Sequence, residues 1–192
     1  GMDNYKSSLD GAPQVCIKVP TGGGKTFIAA NAIKPIFDSM PNMRSKAVVW
    51  LVPSDAILSQ TLSNLSNSDH PYRQKIDVDF AGRTEVYTKV QLLNGQNFNP
   101  CTVAEQLSVF VLSYDSFRSK TKEGRKAFKE NGYLGEFAKI NKNSDVLLDD
   151  IDETALIQVI RSLNPVIIVD ESHHATSDLS VEMLSNFNPC FV

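Results

Sequence analysis

The segment Pro20-Thr21-Gly22-Gly23-Gly24-Lys25-Thr26 sets three consecutive glycines ahead of a lysine and a threonine. Those residue types at that spacing suit the gripping of phosphate. Glycines let the backbone curl until successive N–H groups point at one centre, and a helix starting directly after the turn adds the positive end of its dipole. Lys25 would then reach the β- and γ-phosphates of a nucleoside triphosphate, and the Thr26 hydroxyl would ligate Mg²⁺. A second constellation, Asp170-Glu171-Ser172-His173, carries two adjacent acids. Asp170 can hold Mg²⁺ through its water shell, while Glu171 is placed to polarise a water for in-line attack on the γ-phosphate. Mg²⁺ and Lys25 would offset the charge that builds on the phosphate oxygens. His173-His174 is not a metal site on this reading, because neighbouring residues seldom chelate one ion and no Cys or third His stands at ligand spacing.

These groups need elements to position them. Val15-Cys16-Ile17-Lys18-Val19 is apolar and β-branched enough to predict a buried strand before the loop, and Phe27 to Ile33 suits a helix after it. Pro35 should kink or end that helix. Pro41 and Asn42 mark a turn, Ala47 to Val52 a second buried strand, and Pro53 its end. Ser54 then caps a helix with Ile57, Leu58, Thr61, Leu62 and Leu65 on one face. Ile76 to Phe80 alternates like a strand, and Glu85 to Leu93 reads as strand or helix. His70, before Pro71, carries no signal beyond that of a surface residue. Ser108 to Leu112 is a buried strand running into Ser113-Tyr114-Asp115-Ser116. A helix over Glu153 to Leu163 and a strand over Val166 to Val169 follow, and Asn188 to Val192 reads as a strand cut short. Strands alternating with helices predict an α/β domain, a mostly parallel sheet with helices on both faces. In such sheets ligands bind at the carboxyl ends of the strands, so Asp170 and Glu171 are expected beside the phosphate loop.

The bulk properties bound the rest. The 192 residues, 42% hydrophobic and 21% charged, suffice for one globular domain with a core. No apolar stretch approaches the ~20 residues of a membrane span, so no membrane partner is expected. Gly1 ahead of Met2 reads as an expression-tag scar. Cys16, Cys101 and Cys190 are three, widely spaced and outside any C-x-x-C pair, which points to a reducing cytoplasm rather than to a disulfide framework. A net charge of −3 excludes a basic module that holds nucleic acid by its overall field, so any such contact must be local.

Between 118 and 150 the composition shifts. Arg118, Lys120, Lys122, Arg125, Lys126, Lys129, Lys139 and Lys142 outnumber Glu123, Glu130 and Glu136 before Asp145, Asp149, Asp150, Asp152 and Glu153 reverse the sign. The stretch reads first as a solvated, charged insertion. The alternative is a basic strip, interleaved with Phe128, Tyr133 and Phe137, that touches phosphates.

Taken as an ordered set, Val-Pro-Thr-Gly-Gly-Gly-Lys-Thr (19 to 26), Trp-Leu-Val-Pro-Ser-Asp-Ala-Ile-Leu-Ser-Gln-Thr (50 to 61) and Val-Asp-Glu-Ser-His-His-Ala (169 to 175) resemble motifs I, Ia and II of superfamily 2 helicases. The likeness is greatest to the Res subunit of type III restriction enzymes and its DEAD/DEAH-like relatives, and it spans nearly the whole chain. The resemblance implies a RecA-like domain that binds ATP and Mg²⁺. It implies phosphate and metal contacts by Gly22, Gly24, Lys25 and Thr26, a metal-holding Asp170 and a water-activating Glu171. It also implies that His173 couples the ATP state to a second motor domain, and that Pro53, Ser54 and, in a further motif, Ser113 touch the nucleic-acid backbone. Two departures stand out. Val19 occupies a place usually held by Gly or Ala, and Asp55 stands where other branches often carry a basic residue, which argues against phosphate contact by that side chain.

No glutamine-bearing adenine-recognition helix precedes the loop, and no Ser-Ala-Thr or Thr-Ala-Thr motif follows Asp170. The chain is therefore expected to be a single first motor domain ending before motif III. Its partners would be duplex DNA, a second RecA-like domain and methyltransferase subunits, with restriction endonuclease activity belonging to the whole enzyme. Two alternatives share the same residues: an RNA or repair helicase of the superfamily, and a nucleotide-gated scaffold that holds ATP without hydrolysis. The intact Glu171 argues against the second, since a scaffold has no need of a water-activating acid.

Overall fold

β1 (Lys46–Val52) is buried at every residue after Lys46, and the rest of the domain is arranged around it. The computed structural model describes residues 9, 11–20, 22–118, 122–140, 146–170 and 181–192. Within them β1 pairs in parallel with β3 (Leu107–Ser113) on one side and with β4 (Val166–Val169) on the other. β2 (Thr84–Tyr87) adds to the outer side of β3, giving the order β2-β3-β1-β4 with all four strands parallel. Crossover connections cover both faces of such a sheet, which is why its strands are continuous apolar runs.

The period-2 alternation of β1 divides the core. Ala47, Val49 and Leu51 join Phe110, Leu112 and Ile167 on one face. That face packs against α4 (Lys89–Leu93), α5 (Pro100–Glu105), α7 (Gly135–Ile140), α8 (Leu156–Ser162) and α9 (Val181–Asn186), through residues such as Leu92, Val103, Phe137, Ile160 and Met183. Val48, Trp50 and Val52 join Val109, Val111 and Val166 on the other face. There they meet α1 (Lys25–Asp38), α2 (Asp55–Ser66) and α3 (Pro71–Asp79) through Ala30, Ile33, Phe37, Leu65 and Ile76. The expected parallel sheet with helices on both faces is what forms.

Several local expectations are overturned. Val15 to Val19 forms no strand, and Val15 and Ile17 are 60% and 55% exposed. The reason lies in its partner. Phe191 bridges in parallel to Val166 at the free edge of β4, and Val192 then exchanges backbone hydrogen bonds with Pro13 and Val15 at 2.9 and 2.8 Å. Backbone pairing with this edge is thus seen at Pro13 and Val15, at the start of the run. Pro35 does not end α1, which continues to Asp38 because Ala30, Ile33 and Phe37 remain buried across it. Ile76 to Phe80 is helical, not a strand: Pro71 opens α3, and Arg73–Asp77 and Lys75–Asp79 pair one turn apart. Its apparent alternation was fortuitous, since Ile76 is buried while Val78 is 79% exposed. Glu85 to Leu93 holds both of its readings in turn, as β2 and α4 separated by Thr88, which forms a reciprocal capping box with Gln91.

The charged stretch after 118 is anchored to the core. It includes α6 (Lys122–Arg125), a 3₁₀ turn over Lys126–Phe128, a second over Gly132–Leu134, and α7. Ala127, Leu134 and Phe137 are buried, Phe137 stacks beside Phe98 at 4.8 Å, and the Asn131 amide donates to the Leu93 carbonyl. Tyr133, 73% exposed, stays outside. The next loop is tied down by Gln158 of α8, whose side chain is only 1% exposed. Its carbonyl oxygen accepts from Leu148 N, and its amide donates to the Leu148 and Ile151 carbonyls.

Replacing Gln158 with Leu removes all three bonds and leaves backbone groups unpaired. Such orphaned groups cost about 1–3 kcal/mol each, so Q158L is expected to lower unfolding stability by about 3 kcal/mol in urea titration. A second prediction concerns the thiols. Burial pushes the Cys190 thiol up to about 11, whereas Cys16 and Cys101 are exposed. Since the thiolate is the reactive form, iodoacetamide at pH 8 should label Cys16 and Cys101 at least about tenfold faster than Cys190, read by peptide mass mapping.

Candidate functional site

The glycine turn is built by its backbone. Gly22 and Gly24 both have φ of +77°, a left-handed conformation that a side chain disfavours. Between them Gly23 N donates to the Pro20 carbonyl at 2.9 Å, closing the turn. A Cβ on Gly23 would overlap the Val19 Cγ1 methyl. The larger residue at 19 is thus accommodated because position 23 has no side chain. Gly24 serves as the N-cap of α1; it offers no side chain to cap the helix, and no acid stands in the first turn. The positive end of the α1 dipole therefore faces outward without an offsetting carboxylate from its own helix.

What it faces is a cleft of about 290 Å³. Gly22, Gly24, Lys25 and Thr26 line one wall, and Asp170 another. Asp170 follows β4 directly, and its N–H continues the sheet by donating to the Leu51 carbonyl at 2.9 Å. The sheet thus brings the acid to the loop, as the sequence argument required. Thr26 hydroxyl and Asp170 carboxylate are hard oxygen donors of the type Mg²⁺ takes. Among the described residues no group of three or more His, Cys, Asp or Glu could hold a metal by itself. Thr21, Glu171 and His173 lie outside the described residues.

The remaining walls come from α2 and α3. Ile57, Gln60, Thr61 and Asn64 present one side of α2, and Tyr72 of α3 joins the lining. Tyr72 lies 6.1 Å from the Phe27 ring and 4.4 Å from His70. His70 is itself structural, its Nδ1 accepting from Tyr72 N as the N-cap of α3. The α2 lining escaped the sequence reading although its signal was present. Positions 57, 60, 61 and 64 recur at helical spacing beside a recognisable N-cap. Tyr72 carries no such signal, standing among the polar residues Arg73, Gln74 and Lys75.

The residues expected to meet nucleic acid also gather at this edge. β1 and β3 are in register so that Val52 pairs with Ser113, which brings Pro53 and Ser54 beside the turn that Ser113 begins. Ser54 is exposed and caps α2, accepting from Ile57 N at 3.4 Å. The Ser113 and Ser116 hydroxyls lie 3.1 Å apart. Each serine thus has a local structural task, and Asp55 beside Ser54 is exposed.

The chain belongs to the family of the type III restriction enzyme res subunit, which matches residues 2–192. No curated protein and no solved structure matches it. Family membership, with the parallel sheet, makes this a RecA-like domain: a helicase-like, ATP-binding motor domain of superfamily 2. No helix of the described residues is long and apolar enough to cross a membrane.

The contact between Val19 and Gly23 yields a test of the loop. Gly23→Ala should clash with Val19, an overpacking cost of about 1–3 kcal/mol, and weaken ATP binding roughly tenfold or more in calorimetric titration. Combining it with Val19→Ala should recover most of that loss, giving a large coupling in a double-mutant cycle.

Proposed function

Starting from that family membership, we propose that this is the ATP-hydrolysing motor domain of a DNA translocase in a type III restriction system. The observation that carries the reading is the meeting of Lys25, Thr26 and Asp170, from opposite ends of the sequence, on one cleft at the carboxyl edge of the sheet. The loop amides and the α1 dipole grip the β- and γ-phosphates, and Lys25 adds a mobile positive charge. Thr26 and Asp170 are the groups that hold Mg²⁺, which when bound neutralises charge on the phosphate oxygens. Glu171, the next residue, takes the proton of the attacking water. The water oxygen bonds to the γ-phosphorus as the bond to the β,γ-bridging oxygen breaks, releasing ADP and phosphate.

Ser54 and Ser113 are proposed to touch the DNA backbone through hydroxyls and main-chain amides, with Pro53, which has no N–H, touching it by van der Waals contact. The net charge of −3 supports such local contacts over a broad basic field. His173 links the nucleotide site to a second RecA-like domain facing the cleft. An arginine finger from that domain would carry ~10³–10⁵ of the rate, so this domain by itself should turn over slowly.

Lys25→Ala and Asp170→Asn are each expected to reduce ATP turnover at least about 100-fold, measured by phosphate release. Glu171→Gln should abolish turnover while leaving ATP affinity within about twofold. Turnover that survives K25A or E171Q would contradict the reading. Stimulation of turnover by duplex DNA, and not by single-stranded RNA, is the outcome expected of a DNA translocase.

A further inference from the structure

The first carbonyl beyond β4 is held by a side chain from the turn that follows β3. Asp170 N–H is bonded to the Leu51 carbonyl, beside the last β1–β4 pair, Leu51 with Val169. Tyr114, directly after β3, holds the other side of the residue: its hydroxyl donates to the Asp170 carbonyl oxygen. Tyr114 is 4% exposed, so its ring acts as a strut held on all sides by the core.

The turn that carries this strut is itself braced. Lys89 Nζ donates to the Ser116 carbonyl at 3.0 Å. Phe117 packs edge-on against Phe187 with centroids 4.7 Å apart, and both are buried. Phe187 follows α9, the first described element after Asp170. The Tyr114–Phe117 turn therefore grips the chain on both sides of the segment that bears Glu171 and His173: at Asp170 before it and at Phe187 after it. Ser113, one residue ahead of the strut, sits on the rim proposed for nucleic acid.

We propose that Tyr114 is a positioning residue for the metal-holding acid, fixing the Asp170 main chain and tying it to the rim turn that begins at Ser113. The inference rests on Asp170 holding Mg²⁺ as described above. A carboxylate's reach is set by its Cα, and site geometry must be held to within about 0.5 Å to be productive. With N–H and carbonyl both restrained, Asp170 has little freedom to swing. Losing the hydroxyl removes this hold on the Asp170 carbonyl.

Tyr114→Phe removes only the hydroxyl and keeps the ring in the core. Calorimetric titration of Mg²⁺ into the intact protein carrying a non-hydrolysable ATP analogue should show affinity reduced roughly tenfold. ATP affinity without metal should stay within about twofold and kcat should fall more than KM changes. Phe117→Leu, which loosens the same turn but spares the hydroxyl, should lose Mg²⁺ affinity by about threefold at most, clearly less than Y114F. Wild-type Mg²⁺ affinity in Y114F, or equal losses in Y114F and F117L, would overturn the proposal. Hydrogen exchange on the wild-type protein tests it without any variant: residues 113–118 should gain protection from the analogue with Mg²⁺ but not from the analogue with EDTA. Identical protection in the two conditions would also overturn it. A separate control isolates the premise. If Asp170→Asn binds Mg²⁺ as the wild type does, the metal role of Asp170 fails and the inference falls with it; if D170N loses Mg²⁺ and Y114F does not, the inference alone fails.

Discussion

The parallel register of β1 with both of its neighbours is the constraint on which the site depends. Leu51 stands opposite Leu112 of β3 and Val169 of β4, so the three strands end nearly level. Because all run the same way, the turn after each emerges at the same edge. Asp170, Pro53–Ser54 and Ser113 meet there for that reason alone, although long stretches of sequence separate them. Had one strand run antiparallel, the same residues would have been divided between opposite ends of the sheet. The register in turn is held by burial: a one-residue slip of β1 would exchange Trp50 with Val49 or Leu51 between two differently shaped helical layers.

The second determinant is a contact of a different scale, between Val19 and Gly23. A phosphate-gripping turn needs its backbone close-packed on itself, and here the space that a small residue usually leaves at 19 is supplied at 23 instead. Gly22 and Gly24 are needed for backbone conformation, whereas Gly23 is needed for room. Three glycines in a row thus answer two physical demands, and the departure at Val19 is compensated within the loop.

How legible this was in the sequence depended on whether a signal was local. The loop, β1, β3, β4 and the Ser54 cap were readable because apolar runs, Pro53 and a capping serine all act within a few residues. The failures came where tertiary partners decided. Val15 to Val19 has strand composition, yet its placement depends on pairing with Val192, which lies far away in sequence. Over Ile76 to Phe80, Ile76 and Val78 mimic alternation; the helix there is settled by Pro71, the His70 cap and two ion pairs. Composition alone made the 118–150 stretch look solvated, yet Ala127, Leu134 and Phe137 enter the core. In the site itself the loop and Asp170 were readable. The Tyr72 wall and the Tyr114 strut, which depend on strands and helices coming together, were not.

The central claim is that the loop and Asp170 grip the two sides of one Mg²⁺–triphosphate. A crystal structure of the protein with a non-hydrolysable ATP analogue and Mg²⁺ tests it most directly. The expected result has the β- and γ-phosphates within hydrogen-bond reach of the Gly22–Thr26 amides and Lys25, with the metal between Thr26 and Asp170. A nucleotide bound elsewhere, or a metal held without Thr26 and out of reach of Asp170 and its waters, would contradict it.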